Sequence, residues 1–305
     1  MRALFYIIQS EFKSSYSTSY RNRWDQHHFS NRNSSMTKTI FITGASTGLG
    51  KATATLFANR GWHVVATMRD PSRVTDLLEL PNVTLLPLDV TDNVQIQSTA
   101  AKAIALGEID VVFNNAGYGL KGPLEGISDE QLTQQIDTNL LGVIRVTKAF
   151  IPHFRARAKG MFITTTSIGG LVAVPLNSAY HATKWALEGW SESMAFELNE
   201  MGIDIKTVSP GFINTDFAGR SLDTASHPAY ELMAQKVGAA MKNAGQAATA
   251  STAEQIAEVV FEAATDGKKI LRYLAGQDAK AIYAQRLAVG DEAFRGGMRA
   301  RFFQN

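Results

Sequence analysis

The chain has 305 residues, 45% of them hydrophobic, with 30 Lys/Arg against 28 Asp/Glu and no cysteine. That is enough apolar content for one large packed domain or two small ones, with no run long enough to span a bilayer. Without cysteine, disulfides, thiolate catalysis and cysteine-ligated metal are excluded; a reducing compartment fits, and the expected location is cytoplasmic.

The net charge of +2 is unevenly spread. Residues 1–35 hold Arg2, Lys13, Arg21, Arg23 and Arg32 against Glu11 and Asp25, so 25 basic and 26 acidic residues remain in the rest. With no basic excess there, neither nucleic acid nor an anionic membrane is an expected partner. Eight of the first 35 residues are serine, no helical or strand period is sustained, and "ALFYII" is too short and poorly flanked for a secretion signal. This segment is read as a disordered leader, or as the product of an upstream start codon with Met36 as the working start. An organelle transit peptide is the lesser alternative.

From Thr39 onward, short apolar, β-branched runs alternate with helix-length segments. The runs are "TIFIT", "HVVATM", "VTLLPL", "DVVFN", "GMFITTTS", "IDIKTVS" and "KILRYL". Helical spacing appears over Gly50–Arg60, Asn93–Leu106, Gln131–Phe154, Ser178–Glu200 and Ala253–Thr265. Continuous rather than alternating hydrophobicity means strands buried on both faces, and helix-length spacers mean parallel crossovers. The expected fold is α/β: a three-layer, doubly wound parallel sheet of about seven strands, Rossmann-type, as a single domain over residues 36–276. Residues 277–305 are left as an extension of uncertain structure.

Such sheets bind ligands at the carboxyl ends of their strands, so the strand ends are the places to look. Strand one ends in "TGASTGLG" (Thr43–Gly50). There Gly44 permits a tight turn, Gly48 a close backbone approach to a pyrophosphate, and Gly50 close helix–strand packing. Ser46, Thr47 and Leu49 complete the loop, with two hydroxyls available for contacts. Strand four ends in "NNAG" (Asn114–Gly117), strand five in Ser167, and strand six in "PGFINT" (Pro210–Thr215). In "NSAYHATKWALEGW" (Asn177–Trp190), Tyr180 and Lys184 are four residues apart and share a helix face.

The G-x-x-x-G-x-G loop, "NNAG", the Tyr-x-x-x-Lys pair and a serine thirteen residues before the tyrosine together resemble the short-chain dehydrogenase/reductase family. The likeness runs from about Thr37 to about Gly276 and is to the shorter, single-domain branch. It implies that Tyr180 is a general acid/base and that Lys184 favours its phenolate and bonds the nicotinamide ribose. It further implies that Ser167 holds the substrate oxygen, and that Asn139 of "NLLG" anchors a water behind the lysine. Asp89 and Val90 resemble the adenine-contacting pair. Asn115, Ala116 and Gly117 match the loop beneath the adenosine ribose, and Pro210, Gly211, Ile213 and Thr215 would close over the nicotinamide.

At the end of strand two, NAD binders place an acidic residue against the ribose hydroxyls. Here that position is Met68, followed by Arg69, which can pair with a 2′-phosphate, and Asp70 comes one position late. NADP(H) is therefore expected over NAD(H). His181 lies a 100° turn from Tyr180 and is read as packed or surface; no His/Asp/Glu cluster has metal-ligand spacing, and no metal is expected.

The expected activity is interconversion of a ketone or aldehyde and an alcohol by hydride transfer. The alternative is a catalytically silent NADP(H)-sensing protein on the same fold, which would be expected to have lost the tyrosine or lysine. Lyase or epimerase chemistry is disfavoured by the loop spacing. Substrate selectivity is assigned to Gly119–Leu124, Ile168–Leu176 and the stretch from Phe212 to about Gly245. The recurrence there of Leu120, Leu171, Val174, Leu176, Phe212 and Phe217 suggests an uncharged, moderately apolar substrate. On the tyrosine-bearing helix, Lys184, Leu187 and Ser191 fall within about 40° of Tyr180, while Ala182, Trp185, Gly189, Ser193 and Phe196 form the back. A homodimer or homotetramer built on that back is expected, the alternative being cover by the Gln131–Phe154 helix.

Overall fold

In the computed structural model, which describes residues 37–214, 221–243 and 250–303, the strand sequence begins with β1 (Thr39–Ile42), β2 (His63–Met68), β3 (Val83–Pro87) and β4 (Val111–Asn114). It continues with β5 (Gly119–Lys121), β6 (Gly160–Thr165), β7 (Ile203–Pro210), β8 (Ile213–Asn214), β9 (Leu222–Thr224), β10 (Ser251–Thr252) and β11 (Arg272–Ala275). Seven of these form one sheet in the order β11-β7-β6-β4-β1-β2-β3, every pair parallel. The chain steps outward from β1 to β3, then returns to β4 on the other side of β1. That reversal opens a crevice at the carboxyl ends of β1 and β4.

The helices are α1 (Gly48–Asn59), α2 (Asn93–Leu106), α3 (Asp129–Ile136), α4 (Gly142–Arg157), α5 (Ser178–Asn199), α6 (Glu231–Asn243), α7 (Ala253–Thr265), α8 (Gln277–Val289) and α9 (Asp291–Phe303). Alternate side chains of each strand enter opposite layers. Ile40, Ile42, Val64 and Ala66 pack with Phe57 of α1 and Ile256 and Val260 of α7. Phe41, Val65 and Val112 pack on the other face with Phe150 and Phe154 of α4 and Leu198 of α5. Burial on both faces is why these strands read as unbroken apolar runs. No helix among the described residues is long and apolar enough to cross a membrane.

The predicted helix Gln131–Phe154 is divided: α3 and α4 are joined by a π-helical turn, Asp137–Leu141, that carries the buried Asn139. Residues beyond 276 are also structured. Arg286 of α8 donates from Nη1 to the Leu171 carbonyl at 2.6 Å and lies 5.0 Å from the Trp185 ring. Asp278, in the first turn of α8, accepts from the Phe212 amide at 2.7 Å. The extension thus holds two loops at the sheet's carboxyl edge. Among the described residues, the face of α5 opposite Tyr180 meets Arg286 at Trp185 and stays largely exposed, Trp185 at 41% and Phe196 at 75%, so α4 does not cover them. The leader of residues 1–35, Thr215 and Phe217 lie outside the described residues.

Candidate functional site

At the end of β1 the chain must turn sharply under the start of α1. Gly44 takes φ +68° and Gly48 φ +54°, backbone states that favour glycine. A Cβ on Gly44 would come 2.8 Å from Ala116 Cα, and one on Gly50 would overlap the Gly44 carbonyl. Space beside Gly48 is open, and Thr47 caps α1 without a side-chain hydrogen bond. The first-turn amides of a twelve-residue helix therefore face an open glycine turn, which fits a cofactor pyrophosphate. Ser46 is half-buried and Thr47 exposed, whereas the Leu49 side chain joins the core, leaving only its backbone for a ligand.

Asn115 is spent on this loop. Its Nδ2 donates to the carbonyls of Thr43 (3.1 Å) and Gly44 (3.0 Å), while Thr43 Oγ1 accepts from the amides of Asn115 and Ala116, both at 3.0 Å. Gly117 comes next; a Cβ there would sit 3.1 Å from Asn139 Oδ1. Val90 packs against Gly142, and Asp89 accepts at Oδ1 from the amide (2.9 Å) and hydroxyl (2.7 Å) of Thr91.

Beyond β2, Met68 is only 3% exposed and lies in the same apolar cluster as Val74 and Leu77. Arg69 is exposed. Asp70 is occupied: it accepts from the Ser72 hydroxyl (2.6 Å) and amide (3.1 Å) and pairs with Arg73 at 2.8 Å. The Ser72 hydroxyl bond holds its carboxyl below the usual range. A carboxylate at position 68 would enter an apolar core, so Arg69 is the better place to probe the adenosine end.

Ser167, two residues beyond β6, caps the 3₁₀ turn Ile168–Gly170, its Oγ accepting from the Gly169 amide at 2.9 Å. Tyr180 lies in the first turn of α5, within hydrogen-bond reach of Ser167. Lys184, 6% exposed, donates from Nζ to the Thr165 carbonyl at 2.9 Å and lies 5.8 Å from the Tyr180 ring centroid. In the π turn, Asn139 accepts at Oδ1 from the Tyr118 amide (3.0 Å) and donates from Nδ2 to its carbonyl (2.8 Å). The distortion that lets a helix side chain tie down the loop after "NNAG" is of the kind found at functional sites.

Burial governs the titration of both members of the pair. Burial pushes the Tyr180 phenol above its usual value, opposed by the Ser167 hydrogen bond, so the free chain favours phenol rather than phenolate. The Lys184 ammonium is engaged with the Thr165 carbonyl in the free chain. Burial also pushes that ammonium down to about 8, against the opposing charge of Glu188.

His181 is packed, as read from its helical position. Its Nδ1 lies 2.6 Å from the Gly169 carbonyl and its Nε2 accepts from the Val174 amide at 3.1 Å. The ring is a neutral pin across the loop that follows Ser167, and burial lowers its proton affinity. Sequence reasoning passed over Thr165, Tyr118 and Glu188. Only Glu188 left a signal, at i+4 from Lys184.

On the substrate side, two short strands join loops that are distant in sequence. β5 pairs with β9, and the Gly122 amide donates to the Leu176 carbonyl at 2.8 Å, with Leu176 at φ +61°. Leu120 and Leu171 are buried, Val174 and Leu176 partly buried, and Phe212 exposed. Pro210 ends β7, the Gly211 amide donates to the Ala275 carbonyl at 3.0 Å, and Ile213 pairs with Ser251.

A family model for short chain dehydrogenase matches residues 38–226. Oxidoreductase BOA17 of Botryotinia fuckeliana (strain B05.10) is 37% identical over 269 residues, 85% of this chain and 97% of its own. A short-chain dehydrogenase structure from Streptomyces avermitilis superposes with a TM-score of 0.74 at 31% identity, covering 86% of this chain and 95% of its own. ElxO, solved with NADP bound, superposes with a TM-score of 0.66 at 26% identity, covering 79% and 97%.

Proposed function

Because the chain belongs to the short-chain dehydrogenase family of oxidoreductases, we propose that it interconverts a ketone or aldehyde and an alcohol, using NADP(H). The observation that carries this reading is Tyr180 and Lys184 on one face of α5 behind the end of β6, where Ser167 caps the next turn, with Asn139 of the π turn bonded to the loop after "NNAG". A silent NADP(H) sensor on this fold would need none of them retained.

When bound, the nicotinamide cofactor supplies the hydride in reduction and takes it up in oxidation. Ser167 Oγ holds the substrate oxygen. As the carbonyl carbon gains hydride, negative charge builds on that oxygen, and the Tyr180 hydroxyl delivers the balancing proton. A phenol kept protonated by burial is ready for that step. The Lys184 ammonium then stabilises the phenolate left behind, and Asn139 keeps the neighbouring loop in place. In the oxidative direction the phenolate takes the proton back from the alcohol.

Selection of NADP(H) is assigned to Arg69. It is free to meet a 2′-phosphate, while Asp70 is turned to Ser72 and Arg73 and Met68 to the core. The solved relative ElxO holds NADP. The substrate is read as a small, uncharged and moderately apolar molecule. The open back of α5 is read as a self-complementary contact between two or more copies.

Tyr180→Phe removes the proton donor and keeps the ring. NADPH consumption with a panel of ketones and aldehydes should fall by at least ~10²-fold, with NADPH binding by fluorescence titration little changed; undiminished turnover sinks the mechanism. Arg69→Ala should raise the KM for NADPH by ~10-fold or more, the size of a charge-assisted hydrogen bond, and leave that for NADH unmoved in paired kinetics. Light scattering should find an oligomer that Phe196→Glu dissociates, because a carboxylate would be buried without a partner. A wild-type monomer at micromolar concentration would overturn that reading.

A further inference from the structure

Glu188 lies on α5 one turn beyond Lys184 and is 4% exposed. Its Oε1 accepts from Ser209 Oγ at 2.9 Å, and its Oε2 from Arg272 Nε at 2.8 Å and Thr207 Oγ1 at 3.4 Å. Ser209 Oγ is also 2.8 Å from Thr166 Oγ1. Thr166 immediately precedes Ser167, and Ser209 precedes Pro210. One carboxylate thus links the catalytic helix to the ends of both β6 and β7. Gly170 lets the turn after Ser167 close on it: a Cβ there would meet Lys184 O at 2.8 Å and Glu188 Cγ at 3.1 Å.

A buried ion pair costs desolvation that an apolar pair of the same shape would avoid, so its presence beside a buried ammonium calls for a use. We propose that Glu188, held by Arg272, Ser209 and Thr207, is a positioning residue whose negative charge keeps the buried Lys184 ammonium protonated beneath Tyr180. This rests on Tyr180 and Lys184 being the proton-transfer pair.

The other charges on elements packed against α5 act elsewhere. Asp137 of the π turn pairs with Arg145 at 3.6 Å, and Lys206 of β7 with Asp266 at 3.1 Å. Asp204 of β7 pairs with Lys269 at 2.5 Å, and Lys121 of β5 and Asp129 and Glu130 of α3 are the remainder. Glu188 lies one turn on from Lys184 on the same helix and is buried with it, so its carboxylate is placed to oppose the burial that lowers the ammonium's proton affinity. Arg272 in turn has Tyr283 and Glu192 nearby.

The sign is fixed by the charge. Removing an anion beside an ammonium lowers the pH at which the ammonium loses its proton; removing the cation that neutralises that anion raises it. The direct test is a ¹³Cε NMR titration of Lys184 in the full chain, assigned with Lys184→Arg and independent of turnover. Glu188→Gln should move the midpoint down by about one unit, and Arg272→Gln should move it up. The alkaline limb of kcat/KM for NADPH consumption should move the same way, and Glu188→Asp, which keeps the charge, should restore it. A midpoint unmoved in Glu188→Gln overturns the proposal. Should that variant fail to fold, an unmoved midpoint in Arg272→Gln does so instead. Shifted midpoints alongside an undiminished Tyr180→Phe rate would sink the proton-transfer reading and with it the positioning role, whereas an unmoved midpoint beside a diminished Tyr180→Phe rate would sink this proposal alone.

Discussion

A lysine ammonium buried at the carboxyl edge of a parallel sheet is the constraint around which this molecule is arranged. Taken from water, Lys184 must find acceptors and opposite charge inside the protein. The last carbonyl of β6 supplies one, at Thr165, and Glu188, buried one turn further along α5, is the carboxylate proposed to supply the charge. Both depend on α5 lying close against the sheet, which glycine at position 170 permits. Because α5 is fixed in this way, Tyr180 is set near Ser167, and its partial burial strengthens the phenol's hold on its proton. Charge, helix placement and acid/base readiness are consequences of one burial.

The same economy governs the cofactor side. Asn115 bonds the backbone of the glycine turn instead of facing a ligand, so β1 and β4 hold the turn in shape together. Asn139 does the corresponding work for the loop after β4, from a helix whose register slips by a π turn to bring its amide into place. Residues 277–303, beyond the part matched by the family model, close the arrangement from outside. Asp278 holds the Phe212 amide and Arg286 the Leu171 carbonyl. These helices therefore bear on the loops expected to meet cofactor and substrate.

Much of this was legible in the sequence because it rests on local pattern. Seven buried strands announce themselves by unbroken apolar runs, and the Tyr180–Lys184 pair by its spacing on one helix face. What escaped depends on contacts between distant segments. β5 and β9, each three residues long, exist only because two loops meet. Glu188 and Arg272 are 84 residues apart, and a glutamate on a helix reads as a solvated charge until its burial is known. The π turn within Gln131–Phe154 changes the hydrogen-bonding step from i+4 to i+5, which the apolar pattern does not announce. The favouring of phenolate by Lys184 came with the family resemblance; what the spacing could not show is that burial raises the Tyr180 phenol and that Lys184 bonds the Thr165 carbonyl in the free chain. Met68, read as a neutral neighbour of the ribose, is a core residue.

The central claim is that these side chains guide a hydride between the nicotinamide and a carbonyl carbon. It is tested most directly by following deuterium from C4 of stereospecifically labelled NADPH during reduction of a ketone by the full chain. NMR of the alcohol should find the label on the carbinol carbon, from one face of the nicotinamide only. Alcohol formed without deuterium at that carbon, or cofactor bound and never consumed across the substrate panel, would contradict it.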